Sequence, residues 1–166
     1  MSPAGRRSAG ILLFRRRDAG LEVLIAHMGG PFWARRDEGA WSIVKGEHDD
    51  AEDPWDAARR EFREELGSDL PAGRTLDLGE VRQASGKRVR AWAVEGDLDA
   101  ATVRSGTFAL EWPPRSGRTQ EFPEIDRAAW VDPDTARRKL VKRQRPLVDA
   151  LERAISAPRL KGSDPP

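Results

Sequence analysis

"KGEHDDAEDPWDAARREFREELGS", from Lys45 to Ser68, holds nine acidic residues and three arginines between Gly46 and Ser68, a net charge of −6. The whole chain of 166 residues carries only +1, so everything outside this segment sums to +7. The segment also has helical punctuation. Asp53 suits an N-cap, Pro54 the first helical position and Gly67 the position just past the end, which predicts a helix over Pro54–Leu66. On that helix Trp55, Ala58, Phe62 and Leu66 recur at helical spacing and form the stripe to be buried. Glu61, Glu64 and Glu65 line a different face as neighbours at i, i+3 and i+4. Carboxylates so placed repel by about 0.2–0.5 kcal/mol per pair, and in the last turn they also meet the negative end of the helix dipole. A helix selected for its own stability would carry lysine or arginine there. A bound cation is the natural compensation, and clustered glutamates without cysteine or paired histidine point to Mg²⁺ or Mn²⁺ rather than Zn²⁺. The plain alternative is a solvated face whose glutamates pair with Arg59, Arg60 and Arg63.

Upstream of the helix, "SAGILLFRR" and "LEVLIAHM" read as two strands joined by a turn, "GGPFWARRDEGA" as a loop, and "WSIV" as a third short strand running straight into Lys45-Gly46. Downstream, "RTLDLGEVRQ" and "KRVRAWAVEG" flank Ala84-Ser85-Gly86 as a hairpin, with Val89, Ala91 and Ala93 alternating against Arg88, Arg90 and Trp92. "TFALEWP" reads as a strand, "RSGRTQEFPEI" as a loop and "DRAAWV" as the final strand. Asp132-Pro133 opens a short helix, and a last helix begins near Pro146 with Leu147, Leu151 and Ile155 on its packing face. Hairpins interleaved with helices predict an α+β fold, a mixed sheet with helices packed on it. Residues 1–156 are expected to form one domain and 157–166 a disordered tail.

Composition narrows the function classes. With 38% hydrophobic and 34% charged residues, six tryptophans and no cysteine, the chain has the make-up of a globular protein without disulfides or thiolate metal sites. The expected compartment is the cytoplasm. "AGILLF" is far too short to span a bilayer, and the N-terminal stretch lacks the length and cleavage site of a secretory signal. A net charge near zero supplies no global attraction to nucleic acid or membrane.

Read from Gly46, the segment runs Gly, five residues, Glu52, seven residues, Arg60-Glu61, Phe62, Arg63, Glu64-Glu65, Leu66, Gly67. This resembles the signature of the Nudix hydrolases, G-x(5)-E-x(7)-R-E-[apolar]-x-E-E-x-G-[apolar]. All seven fixed residues match, and the one departure is Ser68 in the closing apolar slot. The resemblance implies an α/β/α sandwich with a mixed sheet and a loop-helix-loop. It implies hydrolysis of a nucleoside diphosphate linked to another group, with Mg²⁺ or Mn²⁺ and water. Carried onto this chain, Glu61 and Glu65 would be the principal metal ligands, and Glu64 a further ligand or the base. The Gly46 carbonyl would complete the shell, and a Glu52–Arg60 ion pair would tie loop to helix. "PEIDRAAW" places Glu124 six residues before Trp130, similar to the dinucleoside polyphosphate and RNA 5′-pyrophosphohydrolase branches, where such a glutamate reaches the metals; Glu121 competes for that role. Those branches often have proline before the lysine of "KGE", where this chain has Val44.

The chemistry asks for these parts. Metal ions neutralise the pyrophosphate and lower the pKa of a bound water, and a carboxylate takes the water's proton. On the substrate side, Lys45, Arg88 and Arg90 are candidates for holding phosphates. Phe32 and Trp33 suit either base stacking or loop packing. His27 and His48 have no second histidine close in sequence and suggest no metal site. The basic run "RRKLVKRQR", Arg137 to Arg145, suits a polyphosphate, an RNA 5′ end or a solvated helix face; a homodimer stays open. Three rivals stand beside the hydrolase. A nucleotide sensor without turnover has no need of the full glutamate set, an isopentenyl diphosphate type of isomerase needs a cysteine, and a structural domain leaves the glutamate cluster unexplained.

Overall fold

The longest apolar run becomes the central strand. In the computed structural model, which describes residues 7–157, β1 (Arg7–Arg17) keeps residues 8–14 buried. A strand apolar on both faces has to be covered on both. Ala9, Ile11 and Leu13 pack with Ala57, Ala58, Phe62 and Leu66 of α1 (Pro54–Leu66). Leu12 and Phe14 belong to the opposite cluster, with Leu147, Val148 and Leu151 of α3 (Arg145–Ser156). Helices on both sides of the sheet make the expected α/β/α sandwich.

The sheet has seven strands and is mixed. Along one edge of β1 runs β6 (Arg88–Glu95), parallel to it from Arg7↔Arg88 to Phe14↔Glu95. The other edge is shared: β4 (Val44–His48) pairs antiparallel with residues 7–11, and β2 (Gly20–Met28) with residues 14–17. β5 (Thr75–Arg82) extends the sheet beyond β6 through the predicted hairpin, while β9 (Ile125–Val131) and β3 (Trp41–Ser42) pair with β2. β7 (Thr107–Glu111) and β8 (Thr119–Pro123) form a separate two-stranded ribbon. α2 (Pro133–Lys139) opens at Asp132-Pro133 as expected.

Several expectations need correction. "WSIV" is not one strand: Trp41–Ser42 pairs with β2, and Val44–His48 pairs with β1. The break falls at Ile43, whose N–H donates at 2.9 Å to the side-chain oxygen of buried Gln144 instead of joining a ladder. "RSGRTQEFPEI" contains β8, because its backbone finds a partner in β7 although its side chains are mostly exposed. Trp55 is only half-buried on α1, and Ala57 and Glu61 are buried in addition to the expected residues. Of the predicted tail only Ala157 is described; residues 158–166 lie outside the described residues. Among the described residues no helix is long and apolar enough to cross a membrane.

Candidate active site

The ends of α1 follow from local chemistry. The Asp53 carboxylate accepts from the Asp56 N–H at 3.1 Å, and Gly67 adopts φ +75°, where its N–H closes on the Arg63 carbonyl. α1 and β4 pack closely, and this places Glu61 against the backbone of β4. Glu61 is 8% exposed. A Cβ built on Gly46 would lie 1.9 Å from its carboxyl carbon, so only glycine lets the carboxylate rest there.

Arg60 organises the surrounding carboxylates. Its Nε and Nη2 donate to the two oxygens of Glu52, each at 2.9 Å, the two-pronged geometry that suits guanidinium and carboxylate. Its Nη1 donates to Glu61 Oε1 at 2.8 Å and to Glu64 Oε2 at 3.2 Å. The hydrogen bonds from Arg60 hold the Glu52 carboxyl below the usual carboxylate range. Glu52 is in turn presented by a turn in which Asp49 Oδ1 accepts from the N–H groups of Ala51 and Glu52 at 2.9 and 3.1 Å. The sequence motif identifies the Glu52–Arg60 pair, but neither the reach of Arg60 to Glu61 and Glu64 nor the part played by Asp49.

Glu65 has different surroundings. Burial raises its pKa to about 7, and Glu124, Glu61 and Glu64 add to the rise while Lys45 opposes it. Burial also raises Glu61, against the pull of Arg60. Lys45, on β4, is itself half-buried and pushed down by desolvation and by Lys87, with Glu47, Glu65 and Glu61 pulling the other way. Lys87 bridges Glu47 at 2.7 Å. It arrives from the β5–β6 turn, 42 positions after Lys45, and only the register of β6 brings it here.

Glu124 reaches this group through backbone placement. Its N–H donates to the Gly106 carbonyl at 2.9 Å, its carbonyl accepts from Gly29 at 3.0 Å, and the β2–β9 register shifts between His27 and Met28 beside it. A Cβ on Gly29 would come within 1.8 Å of the Pro123 carbonyl oxygen, so this approach also requires glycine. The competitor, Glu121, lies within β8 opposite Ala109 and is exposed.

The donors available to a cation are all oxygens: the carboxylates of Glu61, Glu64, Glu65 and Glu124 and the Gly46 carbonyl. They fit a hard divalent ion. Burial first, and the neighbouring carboxylates after it, raise Glu65, and a cation placed beside it would offset both. Among the described residues no three acidic or histidine side chains converge on one point as they stand, since Arg60 already holds Glu61 and Glu64. A cation would compete with that guanidinium for them.

The remaining candidates lie apart. Arg88 and Arg90 do not join Lys45 but wall a cavity at the start of α1, so the expected substrate-binding trio is split between two places. Phe32, 60% exposed, meets Trp112 of the β7–β8 ribbon edge-on at 5.4 Å, while Trp33 packs against the core. His27 is fully buried between Asp126 and the Arg36 carbonyl, and both its ring nitrogens are occupied by these contacts. The basic run is partly consumed by pairing: Arg137 with Asp134, Asp149 and Glu152, Arg138 with Glu38, and Lys139 with Asp37.

Comparison with known proteins adds to this geometry. The family model of the NUDIX domain matches residues 5–151. A search of curated proteins finds no match. Among solved structures, the chain is similar to an Ap4A hydrolase from C. elegans in a binary complex, with TM-score 0.61 and 20% identity over 91% of this chain and 98% of that one. It is similar to the NUDIX domain of NrtR from Shewanella oneidensis complexed with ADP ribose, with TM-score 0.62 and 15% identity over 92% and 90%. A MutT protein from Methanosarcina mazei gives TM-score 0.61 and 18% identity over 95% and 99%. At such identities the likeness is one of fold.

Proposed function

Since the chain belongs to the NUDIX family and is a hydrolase acting on pyrophosphate bonds, we propose that it is a divalent-metal-dependent pyrophosphohydrolase that cleaves a phosphoanhydride bond by water attack at phosphorus. Its substrate in this reading is a nucleoside diphosphate linked to another moiety, a dinucleoside polyphosphate or a nucleoside triphosphate. The observation that carries the proposal is the proximity of Glu61, Glu64 and Glu124 to Glu65, which burial and these acidic neighbours push up to about 7, with Glu61 resting against Gly46. Ap4A in the name of the C. elegans hydrolase and the ADP ribose complexed with the Shewanella domain favour the same substrate class.

Bound Mg²⁺ or Mn²⁺ supplies charge neutralisation on the phosphates and acidifies the attacking water. Glu61 and Glu65 would hold the metal, with the Gly46 carbonyl and Glu64 as further donors. Arg60 braces the arrangement, anchoring the loop through Glu52 and orienting Glu61 and Glu64. Lys45, kept close to Glu61 and Glu65 by its place on β4, meets the substrate's phosphate oxygens. The proton of the attacking water goes to Glu124 or Glu64, the two acids of the group not assigned as principal ligands.

The test is a panel of nucleotide derivatives with Mg²⁺ or Mn²⁺, the products read by mass and the attacked phosphorus located with ¹⁸O-water. Glu65→Gln should abolish metal-dependent hydrolysis without unfolding the protein. Turnover by that variant at the wild-type rate refutes the metal assignment.

A further inference from the structure

Close to Glu124 the β2–β9 ladder slips by one residue. His27 faces Arg127, but Met28 faces Ile125, so Asp126 has no residue opposite it. The side chains show the effect. Strand alternation would put Ile125 and Arg127 on one face. Instead Ile125 packs with the α1-side cluster, while Arg127 lies 5.2 Å over the ring of Trp41, which belongs to the α3-side cluster. Such a bulge re-aims the residue it passes over. Here it turns the Asp126 carboxylate onto His27, whose Nδ1 stands 2.8 Å from Asp126 Oδ1. Without the bulge, Glu124 and Ile125 would move one residue along the ladder, about 3.3 Å, and change faces. Glu124 therefore owes its place near Glu65 to this irregularity.

The other side of the ring is also engaged. His27 Nε2 lies 2.7 Å from the Arg36 carbonyl, in the loop between β2 and β3, and the ring is fully buried and edge-on to Trp41 at 5.1 Å. Neither partner donates: a carboxylate and a backbone carbonyl only accept. A ring with a single N–H satisfies one of them and turns a bare lone pair on the other. Both contacts are hydrogen bonds when both ring nitrogens carry protons, and the bond to Asp126 is then charge-assisted. Other charges nearby have partners of their own. Asp37 accepts from Trp41 Nε1 at 2.8 Å and bridges Lys139 at 3.3 Å, and Lys139 and Arg127 both lie over the Trp41 ring.

We propose that His27 is a positioning residue for Glu124: donating from both ring nitrogens, it pins Asp126 and with it the bulge, and ties the loop of Arg36 to the same point. The start of that loop is bound to Glu124 directly, since the Gly29 N–H donates to the Glu124 carbonyl at 3.0 Å. The Glu124 N–H in turn donates to the Gly106 carbonyl at 2.9 Å. These two bonds hold the Glu124 backbone, and the His27–Asp126 pair sets the register in which they form. The bearing on catalysis rests on the hydrolase reading above; the clamp itself does not.

The clamp is tested first without turnover. Imidazole ¹H–¹⁵N correlation spectra of the full-length protein should show protons on both His27 nitrogens, and a bare Nδ1 overturns the proposal. Asp126→Ala should speed hydrogen exchange at the Gly29 amide by about tenfold or more. Asp126→Asn should hold it within about twofold of wild type, because an amide N–H₂ donates to a singly protonated ring and keeps both bonds. Wild-type protection in Asp126→Ala also overturns the proposal. Under turnover with Mg²⁺, Asp126→Ala should lower kcat by about tenfold or more with KM unchanged, and Asp126→Asn should restore it. If Asp126→Asn is as slow as Asp126→Ala, Asp126 acts through its charge and the clamp is refuted. On a Glu124→Gln background Asp126→Ala should add no further loss, since both changes act on one group; additive losses refute the positioning role. Should melting show Asp126→Ala to be unfolded, His27→Gln, whose amide nitrogen can face only one of the two acceptors, takes its place in both arms. Failure of the spectra or the exchange strikes the clamp, and absence of hydrolysis by the wild type strikes the hydrolase reading, so the two failures are distinct.

Discussion

Replacing Glu65 by glutamine should stabilise the metal-free protein, and more so at pH 8 than at pH 5. Glu65 is half-buried among Glu61, Glu64 and Glu124, and its pKa rises from 4.5 to about 7. A carboxyl with a folded-state pKa above its unfolded value binds its proton more tightly in the fold. Its stabilising effect is therefore complete below pH 4.5 and is lost as pH rises through 7. Relative to a neutral side chain, the ionised carboxylate costs little below pH 4.5 and the most above pH 7. A rise of 2.5 units corresponds to a ceiling of about 3 kcal/mol at 1.36 kcal/mol per unit. Solvent at the exposed part of the side chain lowers this, and Lys45 loses an attracting carboxylate in the variant, which offsets more. A net gain of about 1–2 kcal/mol at pH 8 is expected, or about 3–6 °C in Tm for a domain of this size. At pH 5 roughly a quarter of that gain should be present. Thermal melts followed by circular dichroism in EDTA measure both values. Excess Mg²⁺ should then raise the Tm of the wild type and not that of Glu65→Gln. A variant destabilised equally at pH 5 and pH 8 would falsify the view that Glu65 is an uncompensated charge awaiting a cation.

Three further outcomes follow from the same geometry. Gly46→Ala drives a methyl group into the Glu61 carboxylate, 1.9 Å from its carbon, and should lower metal-dependent hydrolysis by at least tenfold, about 1.4 kcal/mol of barrier, in a steady-state assay. Arg60→Ala leaves Glu52, Glu61 and Glu64 without their shared donor and should cost roughly 1–2 kcal/mol in urea unfolding, the side chain being partly exposed; Mg²⁺ should restore part of the loss by taking over Glu61 and Glu64. Glu124→Gln should lower kcat at least tenfold while KM holds, and an unchanged kcat would return Glu124 to the ordinary surface.

The sequence reveals those parts of the protein that rest on interactions within a few residues. The helix over Pro54–Leu66 has its predicted bounds because Asp53, Pro54 and Gly67 act on their own neighbours, and Glu61, Glu64 and Glu65 share a face through the helical repeat. The apolar run of β1 likewise announces a strand covered on both sides. Where backbone groups had to choose distant partners, sequence reading went astray. It missed β8, which owes its existence to β7, and it missed the break at Ile43, made by a glutamine 101 positions away.

The candidate site divides along the same line. The motif spacing alone supplied Gly46, Glu52, Arg60 and the three glutamates as a set. Tertiary structure decided that Glu124 rather than Glu121 stands near Glu65, since a register shift beside Gly29 sets which loop residue approaches. It decided that Lys87 flanks Lys45, and it moved Arg88 and Arg90 to a separate cavity with Arg7. Local chemistry sets which residues carry charge and on which face of an element they stand. Which charges meet is settled by strand register and by helix packing against the sheet, and both depend on contacts between residues far apart in the chain.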